Sequence, residues 1–394
     1  MTAADGGLAG ICGAALRSAP PHALVPAAAE LLAEHAGAKG CDVLLVDYGL
    51  TVLQPVAEEP RPEDAVPLDQ GPLGRAFAAQ EAVVGSDEHG VTVHLPLSVR
   101  GDRLGALRVR LPAGTPYARD TAPLLDFADV LAHEIVAAGR HTDLYLRSRR
   151  RRRLTLAAEM QWQLLPGLGC VRDEYAIGGH LEPSYAIGGD NFDWSTGERR
   201  LLVAVTDGLG QGIDATLLTS LTVGALRNAR RAGLPLGDQA RLADQAVHAQ
   251  YAGKRHASTV LLEFDVPTGT VRAVDAGSPR VLRQRGGRVE AVPLEAQLPL
   301  GMFEETPYEE QTFEVLPGDR LVVVSSGVHT ARSRDGDTFG DQALHRAVAE
   351  SRLAPPYETA RSVVRGLTRY LDSPELSADA AVVVIDWYGP DGRT

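Results

Sequence analysis

The chain has 394 residues and a formal net charge of −12, enough length for two domains with separate cores and the wrong charge for a general nucleic-acid binder, which needs a basic surface. Aromatic residues make up only 5 %, so those cores are expected to be aliphatic. Cys12, Cys41 and Cys170 form no CxxC pair, which excludes a zinc ribbon or disulfide framework and fits a reducing compartment.

In chain order, HALVPAAAELLAEHA (22–36) is a predicted helix and CDVLLVDYG (41–49) a strand. GPLGRAFAAQEAVV (71–84) reads as a short helix, and VTVHLPLSVRGDRLGALRVRL (91–111) as two strands joined by the turn at 100–102. This order, and in particular GPLGRAFAAQEAVV and the hairpin with GALRVRL, resembles a GAF domain over residues 1–122. The resemblance implies a sensory module on an antiparallel sheet that binds a small molecule of unknown identity. His133 and Cys41 sit alone on apolar segments and are assigned to core packing.

From Pro123 to 165 the chain runs without an internal proline, and Leu124, Phe127, Leu131, Ile135 and Ala138 recur at three- and four-residue steps. The expectation is a helical linker whose apolar stripe pairs in a homodimer. Arg147 and Arg149–Arg153 crowd into its second half. A nucleic-acid arm would interleave aromatics with these charges, so they are read as a solvated stretch of the linker. The N-terminus lacks a secretory pattern and no uncharged apolar run approaches the roughly 18 residues of a membrane span. A soluble, cytoplasmic protein without a membrane or nucleic-acid partner is expected.

Beyond Pro166 the pattern is rich in strands. Residues 175–194 lead into Gly188-Gly189-Asp190, and RRLLVAVTDGLGQG (199–212) is a strand ending at Asp207. Helices are predicted over 214–231, 237–252 and 357–371, strands over 258–265, 270–277 and 379–387, and a strand and turn over 316–333. The succession suggests an α/β/β/α sandwich, making the whole chain α+β with domains at 1–122, 123–165 and 166–390.

Asp190 and Asp207 stand at strand ends, where paired carboxylates hold hard divalent ions and two such ions activate water for attack on phosphate. Glycines beside Asp207 allow close backbone approach. Asp-Gly is also a common turn, and from these residues alone the turn is the better reading. Neither a dinucleotide-binding glycine pattern nor a P-loop is present.

QLLP (163–166), GGDNFD (188–193), DGLGQG (207–212), AGSP (276–279), LPLG (298–301), LPGD (316–319), SSG (325–327) and FG (339–340) follow in order. Over residues 155–388 this succession resembles the SpoIIE-like branch of the metal-dependent protein phosphatase (PPM) family. The resemblance implies Mn2+ or Mg2+ and the removal of phosphate from phosphoserine or phosphothreonine on anti-sigma-factor antagonists. Carried over residue by residue, it implies a metal-bridging role for Asp207, a carbonyl ligand at Gly208 and a metal-proximal carboxylate at Asp190. Ser326 and Ala378 fall where aspartates are expected, and Ser278 replaces a histidine. Asp379, one position on, would point to the other face of its strand, and is retained as a substitute ligand only if the register slips. Asp193 and Asp214 are further acidic neighbours, the latter with a helix-start role as its plain explanation. Two readings stay open: a working phosphatase with a rescued ligand set, and a pseudophosphatase that binds a phosphoprotein with metal binding weakened.

Overall fold

Apolar residues alternate along 91–99, at Val91, Val93, Leu95, Leu97 and Val99, so one face of that strand demands cover. In the computed structural model, which describes residues 7–88, 90–150, 155–184, 187–340, 342–373 and 376–392, that cover is helical. The chain divides into two compact units, Met1–Arg153 and Leu154–Thr394.

The first unit contains α1 (Leu8–Ser18), α2 (Leu24–Ala36), β1 (Gly40–Val46), β2 (Val52–Pro55), β3 (Val66–Pro67), α3 (Gly71–Ala79), β4 (Val83–Asp87), β5 (Gly90–Val99), β6 (Asp102–Leu111), α4 (Ala122–Ala138) and α5 (Leu144–Ser148). Its six strands form one antiparallel sheet in the order β3-β2-β1-β6-β5-β4. Val43 and Leu45 of β1, with Val93 and Leu95 of β5, pack in one core with α1, α2 and α4.

The linker expectation requires correction. Residues 123–165 are not one helix: α4 stops at Ala138, and Gly139–His141 turn the chain back through short-range backbone bonds. Leu124, Phe127, Leu131, Ile135 and Ala138 are buried in the unit's own core, so the stripe is already covered and is unavailable for pairing. Arg149 is docked rather than solvated. Its Nε donates to the Val46 carbonyl at 3.2 Å, and its guanidinium lies 4.8 Å from the centre of the Tyr48 ring. Arg151–Arg153 lie outside the described residues. His133, expected in the core, has a half-exposed side chain that meets the Asp129 carbonyl at 2.8 Å.

The second unit contains α6 (Leu156–Leu164), β7 (Gly169–Val171), β8 (Tyr175–Glu182), β9 (Gly189–Thr196), β10 (Arg200–Gly208), α7 (Gly212–Arg231), α8 (Leu236–Tyr251), β11 (Ala257–Asp265), β12 (Thr270–Ala276), β13 (Arg280–Arg285), β14 (Arg288–Ala291), β15 (Gln311–Glu314), β16 (Arg320–Val324), α9 (Ser326–His329), α10 (Ala343–Glu350), α11 (Pro356–Leu371) and β17 (Ala380–Trp387). Five strands pair as β15-β12-β11-β10-β9 and six as β14-β13-β16-β17-β8-β7. Helices α7 and α8 pack on the first sheet, and α10 and α11 on the second. The sheets meet through aromatic side chains: the Phe264 and Trp387 rings stack with centroids 5.8 Å apart. This is the four-layer order expected from the strand and helix pattern. No helix among the described residues is long and apolar enough to cross a membrane.

Two glycines of β8 set how closely the layers approach. A Cβ at Gly178 would lie 2.3 Å from the Tyr357 backbone nitrogen, so only glycine lets the start of α11 rest on the sheet; on the opposite face, a Cβ at Gly179 would strike the Phe192 ring. Helix backbone cannot yield as a flexible side chain does. The Gly178→Ala variant is therefore expected to lose about 1–3 kcal/mol of stability in the second unit, read by denaturant unfolding.

Candidate functional site

The parity of two strands assembles the site. β9 and β10 pair antiparallel with Asp190 opposite Asp207, Asn191 opposite Thr206 and Asp193 opposite Ala204. Opposed residues share a face and successive residues alternate. Asp190 and Asp207 therefore stand side by side, while Asp193 points to the other face. There Asp193 receives Arg227 at 2.7 Å and Arg230 at 2.8 Å from α7, and it does not join the other two carboxylates.

The loop after Asp207 is built on glycines for stated reasons. Gly210 has φ +115° and Gly212 φ +66°, a region that side chains disfavour. A Cβ at Gly208 would meet the Thr219 hydroxyl oxygen, and one at Gly189 would lie 2.4 Å from the Gly208 carbonyl oxygen. The Gly212 amide donates to the Ile187 carbonyl at 2.7 Å, tying the loop to the chain that enters β9. Asp214 lies in the first turn of α7 and pairs with Arg255 at 2.8 Å.

Asp190 is buried and sits near Asp207 and Asp379. Desolvation first, then these two negative neighbours, raises its pKa well above the ordinary value. Its Oδ2 has no hydrogen-bond partner. Asp207 is half-buried and accepts a close hydrogen bond from the Ser326 hydroxyl. Ser326 and Ala378 are neighbours as well: a Cβ at Gly327 would lie 3.2 Å from the Ala378 Cβ. Both residues precede β17, which begins at Ala380; Ala378 is exposed and Asp379 buried.

Asp379 is spent on the fold. Its Oδ1 accepts from the Ser184 amide at 2.8 Å, the Ser184 hydroxyl at 2.9 Å and the Gly188 amide at 2.8 Å, and its Oδ2 accepts from Gln161 Nε2 at 2.5 Å. Gln161 also donates to the Asp190 carbonyl at 2.9 Å, so α6 is pinned to the site. Ser278 offers its carbonyl to His329 Nε2 at 2.8 Å, and burial lowers the pKa of that histidine. Gln161, Ser184 and His329 were not picked out from sequence. Gln161 lies two residues before the QLLP run, while Ser184 and His329 have no sequence signal of their own.

A divalent centre needs several converging charged donors. Among the described residues, no three His, Cys, Asp or Glu side chains converge in this way. Asp190 and Asp207 are together, Gly208 is beside them, and Asp379 is near Asp190 with both oxygens occupied.

The second unit is thus a four-layer sandwich with two aspartates paired at the ends of adjacent strands. Residues 197–388 match the family model for Stage II sporulation protein E (SpoIIE), and the second unit accordingly carries a phosphatase domain of this SpoIIE/PP2C type. Phosphoserine phosphatase RsbP of Bacillus subtilis (strain 168) is 23 % identical over 183 residues, which make up 45 % of this chain and 45 % of RsbP. The alignment thus spans about half the length of that curated relative. Among solved structures, the PP2C phosphatase domain with a regulatory-domain fragment of SpoIIE from Bacillus subtilis has 20 % identity and a TM-score of 0.49, covering 55 % of this chain and 65 % of that one. The RsbU and RsbW domains of a Mycobacterium tuberculosis protein have 22 % identity and a TM-score of 0.48, with 57 % and 62 % covered. RsbX in complex with magnesium has 16 % identity and a TM-score of 0.43, with 56 % and 98 % covered.

Two outcomes follow for the protein in metal-free buffer. Asp379→Ala removes an acceptor shared by four donors, of which Gln161 Nε2 keeps the Asp190 carbonyl, and is expected to cost about 2 kcal/mol, read by denaturant unfolding. Because the folded state raises the pKa of Asp190, it favours the protonated acid. That contribution is complete below the unfolded pKa of about 4 and is lost as pH rises toward the folded value. Asp190→Asn should therefore gain thermal stability relative to wild type as pH increases from about 4, as melting curves across pH will show.

Proposed function

We propose that this chain is a signalling regulator whose SpoIIE/PP2C-type domain engages a phosphoserine- or phosphothreonine-bearing protein, with weak or absent hydrolysis. The observation that carries this reading is the Ser326 hydroxyl bonded to Asp207 at a position where the family resemblance expects an aspartate. A hydroxyl supplies no charge, and neighbouring Ala378 supplies no donor at all. Ligand charge tunes the affinity of oxygen-ligand sites, so Mn2+ or Mg2+ binding is weakened. Asp207, Asp190 and the Gly208 carbonyl are the groups that would hold an ion, and the ion would supply charge and an activated water. Asp379 is no substitute in this reading, because four protein donors already occupy its carboxylate.

The partner class is a phosphoserine-bearing protein, by analogy with the phosphoserine phosphatase RsbP, which the family resemblance narrows to a small anti-sigma-factor antagonist. The first unit is read as a GAF-like sensor, on the strength of its six-stranded antiparallel sheet covered by helices. It takes a small-molecule signal and acts from the cytoplasm. Pairing of two copies through 123–165 would use a face other than the buried stripe.

A second reading, a working metal-dependent serine/threonine phosphatase, is favoured by the retained adjacency of Asp190 and Asp207. The two separate cleanly. Hydrolysis of a phosphopeptide in Mn2+ is expected to be near background for the wild type, and robust turnover abolished by Asp207→Ala would establish the second reading instead. The double variant Ser326→Asp/Ala378→Asp is expected to tighten Mn2+ binding by at least about tenfold, the scale of one restored charge-assisted contact. Calorimetry showing no change would refute the assignment of those two positions.

A further inference from the structure

At the far ends of β16 and β17 from Ser326 and Asp379, a cleft of about 360 Å3 opens between the β13–β14 hairpin and the segment joining α10 to α11. Its carboxylates are already used. Asp319 takes both Nε and a terminal nitrogen of Arg285, at 2.7 and 2.6 Å, and also the Leu316 amide. Asp386 takes Arg320 in the same two-point manner, at 2.6 and 2.8 Å. The donors are not used up. Arg352 lines the cleft with an exposed side chain and no ion pair among the described residues. Gln284 lines it as well, and its buried Nε2 has no acceptor. Arg288, on the hairpin, is 84 % exposed and only 3.9 Å from its nearest carboxylate, that of Glu290.

The wall between these groups is bare backbone at Gly286 and Gly287, with φ of +55° and +83°. These angles close the hairpin turn and leave no side chain to fill the space. Leu353, 87 % exposed, stands at the rim as an apolar shelf. A cleft with spent acceptors and spare donors calls for a ligand that brings acceptors and negative charge, since a guanidinium fork matches an oxyanion in geometry. A chain of net charge −12 gives such a ligand little reason to collect at arbitrary surface sites.

We propose that this cleft binds a small oxyanion-bearing molecule, a phosphate or a carboxylate, with Arg352 as its principal charged contact. The site lies apart from Asp207 and does not depend on the phosphoprotein reading.

The test uses the full chain in EDTA-containing buffer, titrated by calorimetry with inorganic phosphate in one arm and succinate in the other. Saturable binding of at least one anion is expected, unchanged in Asp207→Ala and weakened about tenfold in Arg352→Gln, the scale of a charged hydrogen bond. Arg352 is exposed and makes no ion pair, so its replacement leaves the fold intact, as an unchanged melting temperature will confirm. The phosphate and succinate arms identify which oxyanion class is preferred. Binding lost in Asp207→Ala but kept in Arg352→Gln would place the anion at the other site and overturn the proposal, as would no saturable binding of either anion.

Discussion

The second unit is organised around one electrostatic constraint: Asp190 and Asp207 stand in register on adjacent strands at a partly closed end of a sandwich, with Asp379 close behind. Like charges held this close in a desolvated place cannot all be ionised without compensation. The structure meets this with a different device for each. Burial keeps Asp190 toward its neutral form, a hydroxyl bonds Asp207, and four protein donors saturate Asp379. Metal ions would be a further solution to the same problem, and the number of carboxylates left free decides how strongly the site would hold them.

The same strands carry both ends of the domain. β16 and β17 run from the region of Ser326 and Asp379 to Arg320 and Asp386, and at that far end the ion pair is reinforced by the Ser351 and Ala354 carbonyls and the Thr359 hydroxyl. A buried arginine with this many acceptors is a rigid anchor, so the α10–α11 segment is fixed relative to the sheet. Gly178 performs the complementary task on β8 by letting α11 approach. The site and the cleft therefore share one stiff frame.

Much of this frame is visible in the chain before folding. The helices at α7, α8 and α11 fall within two residues of the stretches marked by apolar periodicity. The strands ending at Asp207 and starting near Ala380 likewise match their apolar runs. Elements not anticipated include α1, β2, β3, β4, β7, the β13–β14 hairpin, β15 and α10. The hairpin RVLRQRGGRVEA sets four arginines among few apolar residues, so its charge hides a strand pattern. Residues 123–165 misled for the opposite reason. A helical stripe looks the same whether it faces a partner or its own sheet, and the turn at Gly139–His141 carries no proline to mark it.

Sequence by itself marked the class of the second unit, through the order of its motifs, and placed Asp190 and Asp207 at strand ends; the register that sets them on one face and Asp193 on the other came from the strand pairing. Sequence also determined that Ser326 and Ala378 carry no charge. Only the tertiary structure decided what the remaining acids do, because hydrogen-bond partners distant in sequence converge on them. Gln161 and Ser184 reach Asp379 across 218 and 195 positions of chain, and no local pattern encodes such a meeting. The fold likewise turned the stripe of α4 inward, since burying it against the unit's own sheet removes that apolar surface from water without a second chain.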